Sequence, residues 1–240
     1  METLVGIIDY RTGNSRSFSY ALDHVGVPNV LVRTPSECDE VTHLALPGVG
    51  AAAVTMDSLR EQDWPSYLAD RVLGEGLPFL GVCVGLQVLF DASEEGAADS
   101  DNLVECLGWL PGVVRRFDAE ELRVPHMGWN RVECTKAGMN SGIFPELFGA
   151  RVTRDGGDFY FVNSYYADAA EPREVLGTTD YGKPFASVVG RGNFLATQFH
   201  VEKSGQLGLA VLKRFAEWDG CSFYNYAADV REGRLCSPTD

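Results

Sequence analysis

The side chains in this sequence best suited to chemistry are Cys83, His200 and Glu202. Cys83 lies in Leu77-Pro78-Phe79-Leu80-Gly81-Val82-Cys83-Val84-Gly85-Leu86-Gln87-Val88-Leu89-Phe90. There an apolar run of strand type ends in Gly-Val-Cys-Val-Gly, and a helix-type pattern follows at once. This is the sequence form of a nucleophile elbow, with cysteine in the place serine takes in hydrolases. The turn is sharp, so Gly81 and Gly85 supply bare backbone where side chains would collide. Cys83 is then expected to stand exposed at the start of a helix. Free N–H groups and the helix dipole there favour the thiolate, the reactive form of a thiol. The same string also fits a buried structural cysteine.

Thiol chemistry needs a base, and the chain has four histidines, at 24, 43, 126 and 200. His200 stands in Gln198-Phe199-His200-Val201-Glu202. In an extended segment, residues two apart point to the same side. Glu202 can then fix one ring nitrogen of His200 and leave the other free for the proton of Cys83, the nucleophile–base–orienter logic of a triad. A lone His-x-Glu is weak evidence; joined to a cysteine elbow it gains specificity. His43 reads as a strand residue with a hydrogen-bonded ring, and His24 as an exposed helix position.

These residues need a scaffold. Leu4 to Asp9 is a continuous apolar run, the signature of a strand buried on both faces. A turn-rich loop follows, then Phe18, Leu22 and Val25 at helical spacing. Val30–Val32 and Val41–Leu46 read as further strands, the latter ending in Pro47-Gly48-Val49-Gly50. A helix through Met56, Leu59, Leu68 and Val72 leads to the elbow. This rhythm predicts a parallel sheet with helices on both faces, and ligands in such sheets collect at the carboxyl ends of strands. Residues 92–101 read as an acidic surface loop. After Leu103 short β-type runs predominate, at Gly112–Phe117, Arg131–Cys134, Phe159–Tyr166, Glu174–Thr178, Phe185–Val189 and Phe194–His200. Leu207, Val211 and Phe215 mark a closing helix. The expected fold is therefore α/β, a mostly parallel central sheet with an antiparallel β portion in the C-terminal half. One domain is expected over residues 1–218 and a tail over 219–240.

The 240 residues suffice for one large α/β core. A net charge of −14 argues against a nucleic-acid or anionic-membrane surface. No apolar run is long enough to span a membrane. None of the six cysteines forms a C-x-x-C pair, and the N-terminus reads as a strand rather than a signal peptide. A cytoplasmic protein with reduced thiols is expected.

Gly-Val-Cys-Val-Gly-Leu-Gln with His200-x-Glu202 resembles the class I (triad) glutamine amidotransferases. Four strings occur in chain order: Pro47-Gly48-Val49-Gly50, Pro125-His126-Met127-Gly128-Trp129-Asn130, Phe159-Tyr160-Phe161-Val162-Asn163-Ser164-Tyr165 and, around the His-x-Glu, Gln198-Phe199-His200-Val201-Glu202-Lys203-Ser204. Together they are similar to the glutaminase subunits of imidazole glycerol phosphate synthase, from about Leu4 to about Trp218. The resemblance implies hydrolysis of L-glutamine through a glutamyl thioester on Cys83, with His200 as base and then acid, oriented by Glu202. It implies an oxyanion hole from the Val84 N–H and a backbone N–H of the Gly48–Gly50 loop, at Val49 or Gly50, which must flip inward. Gln87, Ser164 and Tyr165 match glutamine-binding positions, and Asn14, Trp129, Tyr160 and Lys203 match positions facing a partner. That partner is a (β/α)₈-barrel cyclase, which forms a heterodimer and receives the ammonia for histidine biosynthesis. No metal or organic cofactor is implied.

The chain departs from the family pattern at two residues, and its tail after Trp218 is longer than usual. Val201 replaces the usual proline, with an extended backbone still expected. Asn163 replaces a histidine, which removes a titratable ring near the substrate. Other readings remain open at this point: a related glutaminase feeding a sugar or nucleoside amination pathway, a cysteine peptidase on the same elbow, or a catalytically idle partner-binding relative.

Overall fold

The structure is a computed structural model that describes residues 2–10, 14–97 and 102–220. The expected tail from 219 lies, beyond Gly220, outside the described residues.

The first half alternates strand and helix. β1 (Val5–Ile8) leads to α1 (Ser15–His24), β2 (Asn29–Val32) and β3 (His43–Gly48). After these come α2 (Ala52–Glu61) and α3 (Trp64–Leu68), the latter continued by a wider-wound turn over Ala69–Gly74. The break between α2 and α3 falls at Asp63, which takes a left-handed conformation just before Trp64-Pro65. Then come β4 (Phe79–Cys83), α4 (Val84–Gln87) and β5 (Phe90–Ser93). The helix-type pattern after Cys83 thus yields only one turn before the chain returns to the sheet.

The second half contributes β6 (Val104–Glu105), β7 (Leu110–Arg116) and β8 (His126–Cys134), then two helices the β-type runs did not announce, α5 (Lys136–Asn140) and α6 (Ile143–Asp155). Gly149, with φ 78°, bends α6. β9 (Gly157–Asn163) and β10 (Tyr165–Ala169) share the run read as one strand and part at Ser164. β11 (Val175–Asp180), β12 (Pro184–Arg191), β13 (Phe194–Thr197) and α7 (Gly205–Glu217) complete the chain.

The main sheet has the order β2-β1-β3-β4-β13-β12-β10-β7-β5-β6. β2 through β13 in that order are all parallel, whereas β12 is antiparallel to both β13 and β10. β11 joins β12 to β8, and β8 carries β9, all antiparallel. The parallel strands β1, β3 and β4 are buried throughout, as their unbroken apolar runs require. The topology has one consequence for function: the neighbouring parallel strands β3, β4 and β13 end side by side. They deliver Pro47–Gly50, Cys83 and the segment Gln198–Glu202 to one edge of the sheet.

Candidate active site

At the end of β4 the chain must turn from strand to helix within one residue. That residue is Cys83, with φ 57° and ψ −106°. A non-glycine residue in such a conformation costs on the order of 1–3 kcal/mol and persists only where its surroundings fix it. Those surroundings are glycines. A Cβ on Gly85 would lie 1.9 Å from the Leu46 carbonyl oxygen, and one on Gly81 2.5 Å from the Gly85 oxygen. α4 therefore presses on β3 and β4 so closely that only glycine fits at either position. Contrary to the expectation of an exposed thiol at the start of a helix, Cys83 is only 5% exposed, and the helix it starts, α4, is a single turn. Access is through a cleft of about 430 Å³ lined by Val49, Gly50, Cys83, Val84, Ser164 and His200, among others.

His200 is buried, and its Nδ1 is 2.8 Å from Glu202 Oε1. The extended geometry expected for this pair does not occur. β13 stops at Thr197, and Val201–Lys203 forms a single 3₁₀ turn with His200 just ahead of it. The turn, not the pleat, brings Glu202 back to the ring. Valine at 201 is accommodated in that turn as a fully buried side chain. Two bonds pin the segment from behind. The His200 N–H donates to the Tyr160 carbonyl (2.9 Å), and Ser204 Oγ donates to the His200 carbonyl (2.6 Å).

Burial opposes a charge on His200, but hydrogen bonds to Cys83 and Glu202, with their negative charges, outweigh it and push its pKa up to about 10. The protonated imidazole is thus favoured beside the Cys83 sulfur. His43, by contrast, is a satisfied core residue: Nε2 meets the Trp218 carbonyl at 2.7 Å and Nδ1 meets Thr42 Oγ1 at 2.9 Å. His126 stacks on Tyr181 and Phe161, and burial lowers its pKa to about 4, partly offset by Asn163.

Asn14, matched by resemblance to a partner-facing position, is instead engaged inside the molecule. Its Nδ2 donates to Glu202 Oε1 at 2.6 Å. It is placed by α1, whose first residue Ser15 bonds Asp9 Oδ1 (2.8 Å) at the end of β1. The carboxylate that orients His200 is thereby tied to a second strand–helix junction.

Gln87 lines the cleft, but its Nε2 is committed to the Tyr165 carbonyl (3.2 Å) and Gln198 Oε1 (3.1 Å). Ser164 and Tyr165 also line it, at the bend between β9 and β10. Asn163 braces that bend by donating from Nδ2 to the Tyr165 carbonyl at 2.9 Å. Val49 and Gly50 form the rim opposite, with Val84 beside Cys83.

Two residues at the site, Gln198 beneath the cleft and Glu95 in its wall, escaped the sequence reading. Gln198 is fully buried and its Nε2 points at Cys83 Sγ, 3.6 Å away. It stood in a quoted string, but only the strand end beside the elbow reveals its target. Glu95 falls in the stretch read as a surface loop, yet it lines the cleft and its Oε2 accepts from the Ala52 N–H (3.1 Å) at the start of α2. Burial raises its pKa. Neighbouring Glu94 bonds the Arg116 N–H (2.8 Å), anchoring the loop to β7. Long-range pairing of this kind leaves no local sequence signal.

Trp129 is 59% exposed, Met127 63%. Trp129 pairs across the β8–β9 ladder with Tyr160, ring centroids 5.9 Å apart, and lies near Gly205 just past the exposed Lys203. A core role for this tryptophan is thus ruled out.

The fold agrees with known proteins. A family model described as glutamine amidotransferase class-I matches residues 7–217. The imidazole glycerol phosphate synthase subunit HisH of Moorella thermoacetica is 43% identical over 213 residues, covering 89% of this chain and 94% of that protein. The subunit of the same name from Herpetosiphon aurantiacus is 41% identical over 214 residues, with the same coverage. Among solved structures, a glutamine amidotransferase crystal structure covers 89% of this chain and 99% of its own at TM-score 0.66 and 20% identity. The structure of PurLQS from Thermotoga maritima covers 90% and 99% at TM-score 0.66 and 14% identity. The last two speak to fold alone. With its elbow cysteine, His–Glu pair and near full-length similarity to these subunits, the chain belongs to the class-I glutamine amidotransferase family, among the HisH subunits of imidazole glycerol phosphate synthase.

Proposed function

We propose that the chain hydrolyses L-glutamine to glutamate and ammonia, and that a (β/α)₈-barrel cyclase subunit, bound as a heterodimer in the cytoplasm, consumes the ammonia to make imidazole glycerol phosphate for histidine biosynthesis. The observation that carries the reading is the meeting of Cys83 and His200 in one cleft, with Glu202 bonded to the His200 ring, in a chain 41–43% identical to HisH subunits.

In this reading the Cys83 sulfur attacks the side-chain amide carbon of glutamine. The carbonyl oxygen takes the negative charge and is held by the N–H groups of Val84 and of Val49 or Gly50. His200 gives its proton to the amide nitrogen, the C–N bond breaks and ammonia leaves. A water molecule then attacks the thioester carbon while His200 takes the water's proton. The C–S bond breaks, glutamate departs and the starting state returns. Glu202 fixes the imidazole, and Asn14 fixes Glu202. Ser164 and Tyr165, with Glu95 and Gln87 in the walls, would hold the amino-acid end of the substrate. Residues 1–218 act as one glutaminase domain, and Trp129, Tyr160 and Lys203 form the surface that meets the cyclase.

The test is the Cys83→Ala variant in complex with the cyclase. Glutamine-dependent synthesis and glutamine hydrolysis should both vanish, while synthesis from free ammonium continues at the wild-type rate. Retained glutaminase turnover would remove Cys83 from the mechanism.

A further inference from the structure

Tyr10 lies two residues past the end of β1 and is fully buried, yet its hydroxyl has no partner at full hydrogen-bond geometry among the described residues. The nearest polar side chain is Thr55 Oγ1 on α2, which lowers the phenol pKa as a weak hydrogen-bonding neighbour, but neither hydroxyl meets full hydrogen-bond geometry. Leaving a buried hydroxyl without a full partner is unfavourable, and phenylalanine would fill the same space without that penalty. The position of the hydroxyl bears on its purpose. A Cβ on Gly48 would lie 2.3 Å from it, so the phenol oxygen packs directly on the Gly48 backbone. The same Cβ would lie 3.1 Å from Val84 Cβ and 3.5 Å from the Gly85 nitrogen. Tyr10, Gly48 and the elbow thus meet at one buried point. Burial, chiefly, raises the phenol pKa, so the group is a neutral O–H donor at any ordinary pH.

Gly48 carries the carbonyl of the peptide whose N–H belongs to Val49. Rotating that peptide plane to aim the Val49 N–H into the cleft swings the Gly48 carbonyl the other way. A carbonyl displaced into a buried region needs a donor. We propose that Tyr10 is a positioning residue for the oxyanion loop, its hydroxyl donating to the Gly48 carbonyl when the Gly48–Val49 peptide turns its N–H toward the cleft. This rests on the glutaminase reading above. A hydroxyl without a full partner biases the loop toward the turned state, because its bond to the Gly48 carbonyl forms only there. The residue touches no substrate atom; it acts through Gly48.

The experiment compares wild type with Tyr10→Phe, each as the chain alone, with the cyclase, and with the cyclase plus its acceptor nucleotide. It reads kcat and KM for glutamine, synthesis from free ammonium, and thermal unfolding. One lost hydrogen bond between two loop states is worth several-fold, up to about tenfold. The variant should therefore lose that much kcat with cyclase and acceptor. KM should be unchanged, ammonium-dependent synthesis intact, and the melting temperature equal to or above wild type. A variant with wild-type kcat, or one that melts earlier or fails to fold, overturns the proposal, because the hydroxyl would then be idle or already bonded in the resting state. Absence of glutamine hydrolysis by wild type in every arm would overturn the glutaminase reading itself.

Discussion

At Cys83 the backbone holds a conformation that an L-side chain disfavours. Glycine carries no such penalty. Cys83→Gly and Cys83→Ala should both be inactive, but the glycine variant should unfold later, by about 1 kcal/mol in chemical denaturation. Equal stabilities would mean that the elbow is unstrained. The His200 ring adds a pH dependence with a defined sign. Its pKa stands above the ordinary histidine value, so its stabilising interactions are fully present below about 6.5 and are lost as pH rises through about 10. Glu202→Gln removes one of the charges that raise this pKa. The alkaline limb of kcat/KM should therefore move to lower pH, and the maximal rate should fall less than the 10²–10⁴-fold expected for losing the base itself. An unmoved alkaline limb would remove Glu202 from control of the ring. The triad was legible because cysteine, histidine and glutamate carry their chemistry in their identity. The tie from Asn14 to Glu202 was not, because it joins residues 188 apart in sequence.

At the scale of elements, the legible features were those with a local cause. The buried runs of β1, β3 and β4 follow from apolar sequence, and the elbow follows from Gly81 and Gly85. The failures have causes too. α4 stops after one turn because the chain must rejoin the sheet at Phe90, and the apolar pattern of 84–90 serves two elements at once. His200 is followed by a 3₁₀ turn over Val201–Lys203, rather than lying in a strand, because β13 ends three residues before the histidine. α5 and α6 lie between β-type runs and escaped a reading tuned to strands. On the β8–β9 ladder, exposed Trp129 has no core function to lose. Trp129→Ala should weaken binding to the cyclase by about 2 kcal/mol or more, as for an interface hot spot, with little change in the melting temperature of the isolated chain. Unchanged affinity by titration calorimetry would move the interface elsewhere.

Across the whole molecule, the catalytic groups come from the ends of three adjacent parallel strands, and the exposed aromatic pair lies on a different ladder. The two are connected: the Tyr160 carbonyl accepts the His200 N–H, and the Tyr160 N–H donates to Ser204 Oγ, which in turn holds the His200 carbonyl. A partner seated on Trp129 and Tyr160 therefore touches the strand that braces the catalytic base. At the far rim, the Pro47–Gly50 loop contains glycines that let a peptide plane rotate at little cost. We propose that the partner favours the competent state of this loop through differential affinity for two loop states. Ammonia released without an acceptor would be wasted, and such coupling prevents it. The most direct test is a steady-state glutaminase assay of the chain alone, with the cyclase, and with the cyclase and acceptor nucleotide. A rise across the three arms, on the order of the 10²–10³-fold effect of one oxyanion donor, is predicted. Equal rates in all three would contradict it, because the oxyanion loop would then be preformed and the partner would have nothing to switch.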